Sequence, residues 1–151
     1  MTRPPLLILL ALVTPPLLAA DHDHHAHHGT TLEQREAIPV TREEKAHIHL
    51  EMRTFLDTTR QIVDGAASND MKRVAEAARA AGMAAAHEVP AGLRARLPLA
   101  FKKLGQATHV GFDDLARDAE SLGDAHHALR QLGQVMDNCA ACHALYRLET
   151  H

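Results

Sequence analysis

The chain is poor in aromatic residues and nearly without cysteine. Tryptophan is absent, tyrosine occurs once and phenylalanine three times, so aromatics make up 3% of the 151 positions. β-Sandwiches draw on aromatic and β-branched residues. A chain this thin in aromatics, yet 46% hydrophobic and rich in Ala and Leu, reads instead as helical. Two cysteines leave no room for a disulfide framework or a four-cysteine zinc site. No strand–helix alternation is present to host a thioredoxin-like C-x-x-C. Ser-His-Asp, paired-carboxylate and phosphate-loop patterns do not stand out, so the chain is not read as an enzyme. A net charge of −3 gives no reason to expect nucleic acid.

The first apolar run is short. Arg3 precedes Leu6 to Val13, Pro15 and Pro16 break the run, and Leu18-Ala19-Ala20 offers small residues before Asp21. This pattern predicts a cleaved secretory signal over 1–20 and a periplasmic protein, because the run is too short to serve as a stable membrane anchor. Cleavage leaves 15 basic against 19 acidic residues, a charge of −4, which favours basic patches on partners. Residues 21–40 open with Asp-His-Asp-His-His-Ala-His-His-Gly, holding five of the 13 histidines. They read as a flexible tail and linker that either binds a transition metal weakly or has no metal role.

Residues 41–151 read as an all-α domain, an antiparallel four-helix bundle. Thr41 and Glu44 match a capping box. Ile48, Met52, Phe55, Thr59, Ile62 and Ala66 then form one stripe, widened by Leu56 and Val63. A second helix runs from about Asp70 to His87 with small residues on one face, weakened by Gly82. A loop from His87 to Pro98 tucks in Leu93 and Leu97. The third helix begins near Pro98 and carries Phe101, Leu104, Thr108, Phe112, Leu115 and Ala119. Gly123 breaks it, Asp124 caps the fourth, and Leu129, Leu132, Met136, Cys139, His143 and Tyr146 are placed on one face of that last helix.

The chemistry concentrates in Cys139-Ala140-Ala141-Cys142-His143. C-x-x-C-H is the attachment pattern of a covalent c-type haem, one per chain here. Each thiol bonds one vinyl group, and the adjacent histidine ligates the iron. On a helix the three positions fall at i, i+3 and i+4 and project together. The competing readings are a buried Cys pair beside an unrelated histidine and half of a zinc site, which lacks a second cysteine pair.

A C-x-x-C-H near the end of a four-helix pattern, followed by Ala144-Leu145-Tyr146-Arg147, resembles the cytochrome c prime family. Members carry C-x-x-C-H-x-x-[YF]-R on their last helix. The resemblance spans about residues 41–148 and rests mainly on 139–147. It implies thioethers at Cys139 and Cys142, His143 as proximal ligand, and Arg147 beside the proximal pocket, unless Arg147 is a surface cation at a helix end. The family divides by what faces the iron from helix one. Met52 and His49 are the candidates here, with an open iron as the third alternative. Met52 or His49 bound gives a low-spin carrier of single electrons serving redox partner proteins. An open iron gives a binder of nitric oxide or carbon monoxide. A haem-free metal binder using the tail and C-x-x-C-H is a further class. Family members pair as homodimers through helices one and two. His47, His87, His109, His126 and His127 are read as surface residues.

Overall fold

Thr41 starts the first helix as the capping box predicts. Its side chain accepts from Glu44 N at 3.2 Å, and its own N–H donates to Glu44 Oε2 at 2.9 Å. The computed structural model describes residues 33–86 and 89–150. The elements are β1 (Glu36–Val40), α1 (Arg42–Ala67), α2 (Met71–Ala80), α3 (Met83–Ala86), α4 (Ala91–Arg96), α5 (Leu99–Leu122), α6 (Ala125–Leu145) and β2 (Tyr146–Thr150). All belong to one compact unit, Glu33–His151. The signal segment and the histidine-rich tail lie outside the described residues. Among the described residues, no helix is long and apolar enough to cross a membrane.

The fold is mostly helical, as the all-α expectation has it, with a small two-stranded sheet added. β1 and β2 pair as a parallel two-stranded sheet, Glu36 opposite Tyr146 and Val40 opposite Thr150. This corrects two expectations. Residues 36–40 are not linker but a strand inside the folded unit. Tyr146 and Arg147 are not on the last helix, because Tyr146 turns to extended backbone (φ −128°, ψ 149°) and begins β2. Pro39 is compatible with this strand because a two-stranded sheet has an edge where no N–H is required.

The second helix also differs. Instead of running to His87 it ends at Ala80, and α3 follows after Gly82. Asp113 from α5 reaches into the break, where its Oδ2 accepts from Met83 N at 2.9 Å. A Cβ on Gly82 would stand 1.9 Å from Asp113 Oδ1, so glycine is what admits this side chain. Leu93 and Leu97 are buried as expected, Leu93 on the short helix α4 and Leu97 at its end.

Two apolar clusters hold the unit together. One joins Ile62 and Ala66 of α1, Val74 and Ala78 of α2, Phe112 and Leu115 of α5, and Leu132 and Val135 of α6. The other gathers Ile38 and Val40 of β1, Ile48 of α1, Leu93, Leu97 and Tyr146, with Met52, Phe101 and Cys142 packed against it. α1 touches α2 and α6, and α5 touches α2 and α6. Strand pairing holds the start of α1 beside the end of α6, while Ile62 and Ala66 share a cluster with Ala128 and Leu132. α1 and α6 are therefore antiparallel.

Candidate functional site

α6 begins at Asp124, whose Oδ1 accepts from His126 N (2.9 Å) and His127 N (3.1 Å). Its buried line is Ala128, Leu132 and Val135. Seven-residue spacing continues that line to the half-buried Cys139 and Cys142 and ends at Tyr146. This shifts the predicted stripe by one position, since Leu129 and Met136 are exposed (Met136 at 49%). Ala128 and Val135 are the smaller residues, and their size lets α5 approach. A Cβ on Gly111 of α5 would come within 2.7 Å of Val135 Cγ2.

Cys139 and Cys142 are free thiols. The Cys139 Sγ donates to the Val135 carbonyl at 3.7 Å, the backbone one turn earlier. Burial pushes both thiols above their ordinary pKa, and for Cys142 the neighbouring Cys139 adds to the effect. Both stay protonated at neutral pH. A low-pKa redox or thiolate metal site needs the opposite, an electropositive surrounding that draws the proton off. Among the described residues, no three His, Cys, Asp or Glu side chains come together as a metal site. His143, about 100° around the helix from Cys142, is exposed.

The flank on which His143 stands has a character of its own. At seven-residue spacing Leu129, Met136 and His143 form one row on α6, all exposed. α6 meets α5 on its other flank, where Asp118 Oδ2 is 3.0 Å from His127 Nε2 and accepts from Gln131 Nε2 at 2.7 Å. The row therefore lies toward α1. On α1, His49, Leu56 and Val63 form a matching row, also exposed (Leu56 at 71%). The opposite flank of α1 meets α2, where Gly65 adjoins Val74, so this row lies toward α6. Leu56 and Val63 thus do not widen the buried stripe as predicted.

Met52 lies between this row and the buried stripe. It is half-buried and packs against the same cluster as Cys142. His49 is exposed at the outer edge. The structure thus brings Met52, Cys142 and, one turn earlier on α6, Cys139 to one end of α1 and α6, with His143 and His49 outside them. Arg147 is drawn away onto β2, where its Nη1 donates to Glu149 Oε1 at 3.1 Å and its buried Nε has no hydrogen-bond partner among the described residues. Two neutral thiols and a thioether therefore stand at this end of the helices, and both imidazoles are exposed outside them.

A second polar group was missed by the sequence reading. His109, expected at the surface, is 4% exposed. Its Nδ1 donates to the Ala81 carbonyl at 2.8 Å, and its Nε2 lies 3.3 Å from Glu51 Oε1. The Phe55 ring meets it edge-on at 5.1 Å. Burial opposes the imidazolium, but Glu51 and the Ala81 carbonyl outweigh it, and the pKa of His109 is raised. The signal available beforehand was adjacency to the buried Thr108 on a helical stripe.

No family model, curated protein or solved structure matches this chain.

Proposed function

We propose that the chain is an exported monohaem c-type cytochrome that transfers single electrons, its haem carried on α6 of a four-helix bundle made by α1, α2, α5 and α6. The observation that carries this reading is Cys142, packed against the same apolar cluster as the half-buried Met52 of α1, with Cys139 one turn earlier on the same side of α6. Cys139 and Cys142 would hold the group through two thioethers, and His143 would ligate its iron. Met52 would be the second protein ligand. His49 is the rival, and its exposure makes it the weaker one. Bound haem supplies a metal centre that cycles between ferric and ferrous states.

The chain's own residues do three things in this reading. Burial raises the pKa of both Cys139 and Cys142, so the two thiols offered to the haem are neutral. Leu56 and Met136 offer exposed apolar surface that a bound haem would cover. A thioether from Met52, soft and uncharged, favours the reduced state relative to a second imidazole. With His143 and Met52 both as ligands, the haem would exchange single electrons with redox partner proteins, and no substrate bond would be made or broken.

The test is an absorption spectrum of the mature protein, oxidised and reduced, with and without carbon monoxide. Low-spin spectra with little carbon monoxide uptake, a ferric iron–sulfur charge-transfer band, and loss of that band in Met52→Ala support the assignment. A band-free low-spin spectrum that changes in His49→Ala moves the ligand to His49. High-spin iron with prompt carbon monoxide uptake replaces the carrier by the gas-binding reading. A protein that matures without covalent haem in a competent host overturns both.

A further inference from the structure

The cations of this chain are not spread evenly. Between Glu88 and Asp113 the sequence holds Arg94, Arg96, Lys102 and Lys103 and no carboxylate. From Asp113 to Asp124 it holds five carboxylates, with Arg117 as the one cation. α5 therefore carries Lys102 and Lys103 near its N-terminus and Asp113, Asp114, Asp118 and Glu120 toward its C-terminus. A helix is stabilised by the opposite order, acids at the start and bases at the end. The first turn of α5 has no acid, and Pro98 at its N-cap offers no side-chain hydrogen bond. Helix stability does not account for this arrangement.

The structure gathers these cations at the end that holds the strand pair. Arg96 of α4 forms an ion pair with Glu44, so α4 lies against the first turn of α1, which begins at Arg42 and is followed by Lys45. Arg94 and Lys102 stand on the wall of one cavity of about 340 Å³, which joins α4 to the start of α5. Phe101 meets Tyr146, the first residue of β2, at 5.5 Å. Leu93, Leu97 and Phe101 belong to the cluster against which Met52 and Cys142 pack. The intervening Arg94 and Arg96 are exposed, as is Lys103. The carboxylates here are mostly engaged. Glu44 holds Arg96 and the Thr41 N–H, and Glu149 holds Arg147, while Glu36 and Glu43 are exposed. Arg42, Lys45, Lys102 and Lys103 form no ion pair among the described residues. Elsewhere Arg60, Arg73, Arg79 and Arg117 are each held by a carboxylate.

We propose that this end is a docking surface for the acidic face of a protein that exchanges electrons with the haem. The inference rests on the haem reading and names the chemistry of the partner. Net charge alone, −4 after signal cleavage, points to a basic partner, and the distribution of charge reverses that expectation. A haem held by Cys139 and Cys142 would lie near the cluster that this surface covers. Attraction between unpaired cations and a carboxylate-rich face raises the encounter rate. Leu99 and Leu145, exposed at the start of α5 and the end of α6, add apolar area for contact.

Stopped-flow oxidation of the ferrous mature protein, by ferricyanide and by the tris(phenanthroline)cobalt(III) cation, reads the charge at this surface. Each reagent takes one electron from the haem iron, giving ferric iron and ferrocyanide or cobalt(II). The ferricyanide rate should fall as ionic strength rises, although protein and reagent are both net negative, and the cobalt rate should not fall. Lys102→Glu with Lys103→Glu should lower the ferricyanide rate at low salt by at least about fivefold, and Lys72→Glu with Arg130→Glu, an equal change in net charge elsewhere, by less than about twofold. A ferricyanide rate that rises with salt, or equal losses in the two pairs, overturns the proposal. A second readout needs no haem. Poly-L-glutamate added to the nitrogen-15-labelled mature protein should shift the amides at the start of α1, in α4 and in the first turns of α5. If the chain matures without haem, the electron exchange falls with the haem reading, and these shifts alone judge the acidic-partner surface. Shifts absent from those segments overturn it. Tighter binding to phosphatidylglycerol vesicles than to poly-L-glutamate assigns the surface to a membrane and overturns it as well.

Discussion

Replacing Gly111 by alanine tests the contact that aligns α6, and Gly105 on the same helix provides its control. Alanine over glycine in a helix interior is worth about 0.5–1 kcal/mol. At Gly105 a Cβ meets nothing within 4 Å, so Gly105→Ala gains that amount. At Gly111 the same methyl lands 2.7 Å from Val135 Cγ2. Val135 is β-branched and 3% exposed, so its rotamer is restricted and it shares its cluster with Leu132 and Phe112. Overpacking of this kind costs about 1–3 kcal/mol. Gly111→Ala should therefore be less stable than Gly105→Ala by about 1–3 kcal/mol, with the sign reversed relative to helix propensity. Urea unfolding followed by far-UV circular dichroism reads the difference, with m unchanged. Adding Val135→Ala to Gly111→Ala should give a favourable coupling above about 0.5 kcal/mol. Equal stability of the two single variants would refute the close approach of α5 and α6.

Three further outcomes follow from the same geometry. Thr41→Ala removes the capping-box acceptor seen by Glu44 N and should cost about 1 kcal/mol in urea unfolding, leaving the spectrum of the mature protein unchanged. Tyr146 is 9% exposed and edge-on to Phe101 at 5.5 Å, so Tyr146→Ala should cost about 3 kcal/mol in the same assay. Burial opposes a charged His109, yet Glu51 and the Ala81 carbonyl raise its folded pKa above the ordinary 6.5. The stabilisation is then full below about pH 6.5 and is lost as pH rises through the folded value. Glu51→Gln should destabilise more on the acid side of that window than on the alkaline side, and a pH-independent difference would contradict the pairing.

Local signals carried most of the helices. Thr41 with Glu44, Gly123 and Asp124 are short-range devices, and each marks the boundary it announced. The strand pair was illegible because its information is not local. Ile38 and Val40 alternate across Pro39, and Tyr146 and Leu148 alternate across Arg147, but each run is five residues long and its partner lies at the other end of the folded unit. A proline in so short a run reads as a break, and only the pairing shows that it sits on an edge. His109 was misplaced for the same reason, since its partners Glu51 and Ala81 come from two other segments. On α6 the error was one of weight. Leu129 and Met136 outrank Ala128 and Val135 in apolar area, but the interior took the smaller pair because Gly111 brings α5 close.

That exchange bears on the site. The chain places small residues where α5 meets α6 and sets Leu56, Val63, Leu129 and Met136 on the flanks where α1 meets α6, each at least two-fifths exposed. A lone exposed leucine needs no explanation, but apolar rows on two neighbouring helices are of the kind that marks an interaction surface. His143 ends one row and His49 the other, and the half-buried Met52 and Cys142 pack against one apolar cluster. A dimer contact through this flank would cover the rows but leave the two thiols and the thioether unexplained. The covalent haem proposed above would account for the rows and the neutral thiols together. The α1–α6 flank is for that reason the surface on which the electron-transfer reading stands, and Leu56→Lys and Met136→Lys are the substitutions that should disturb it while leaving the Glu51–His109 pair intact.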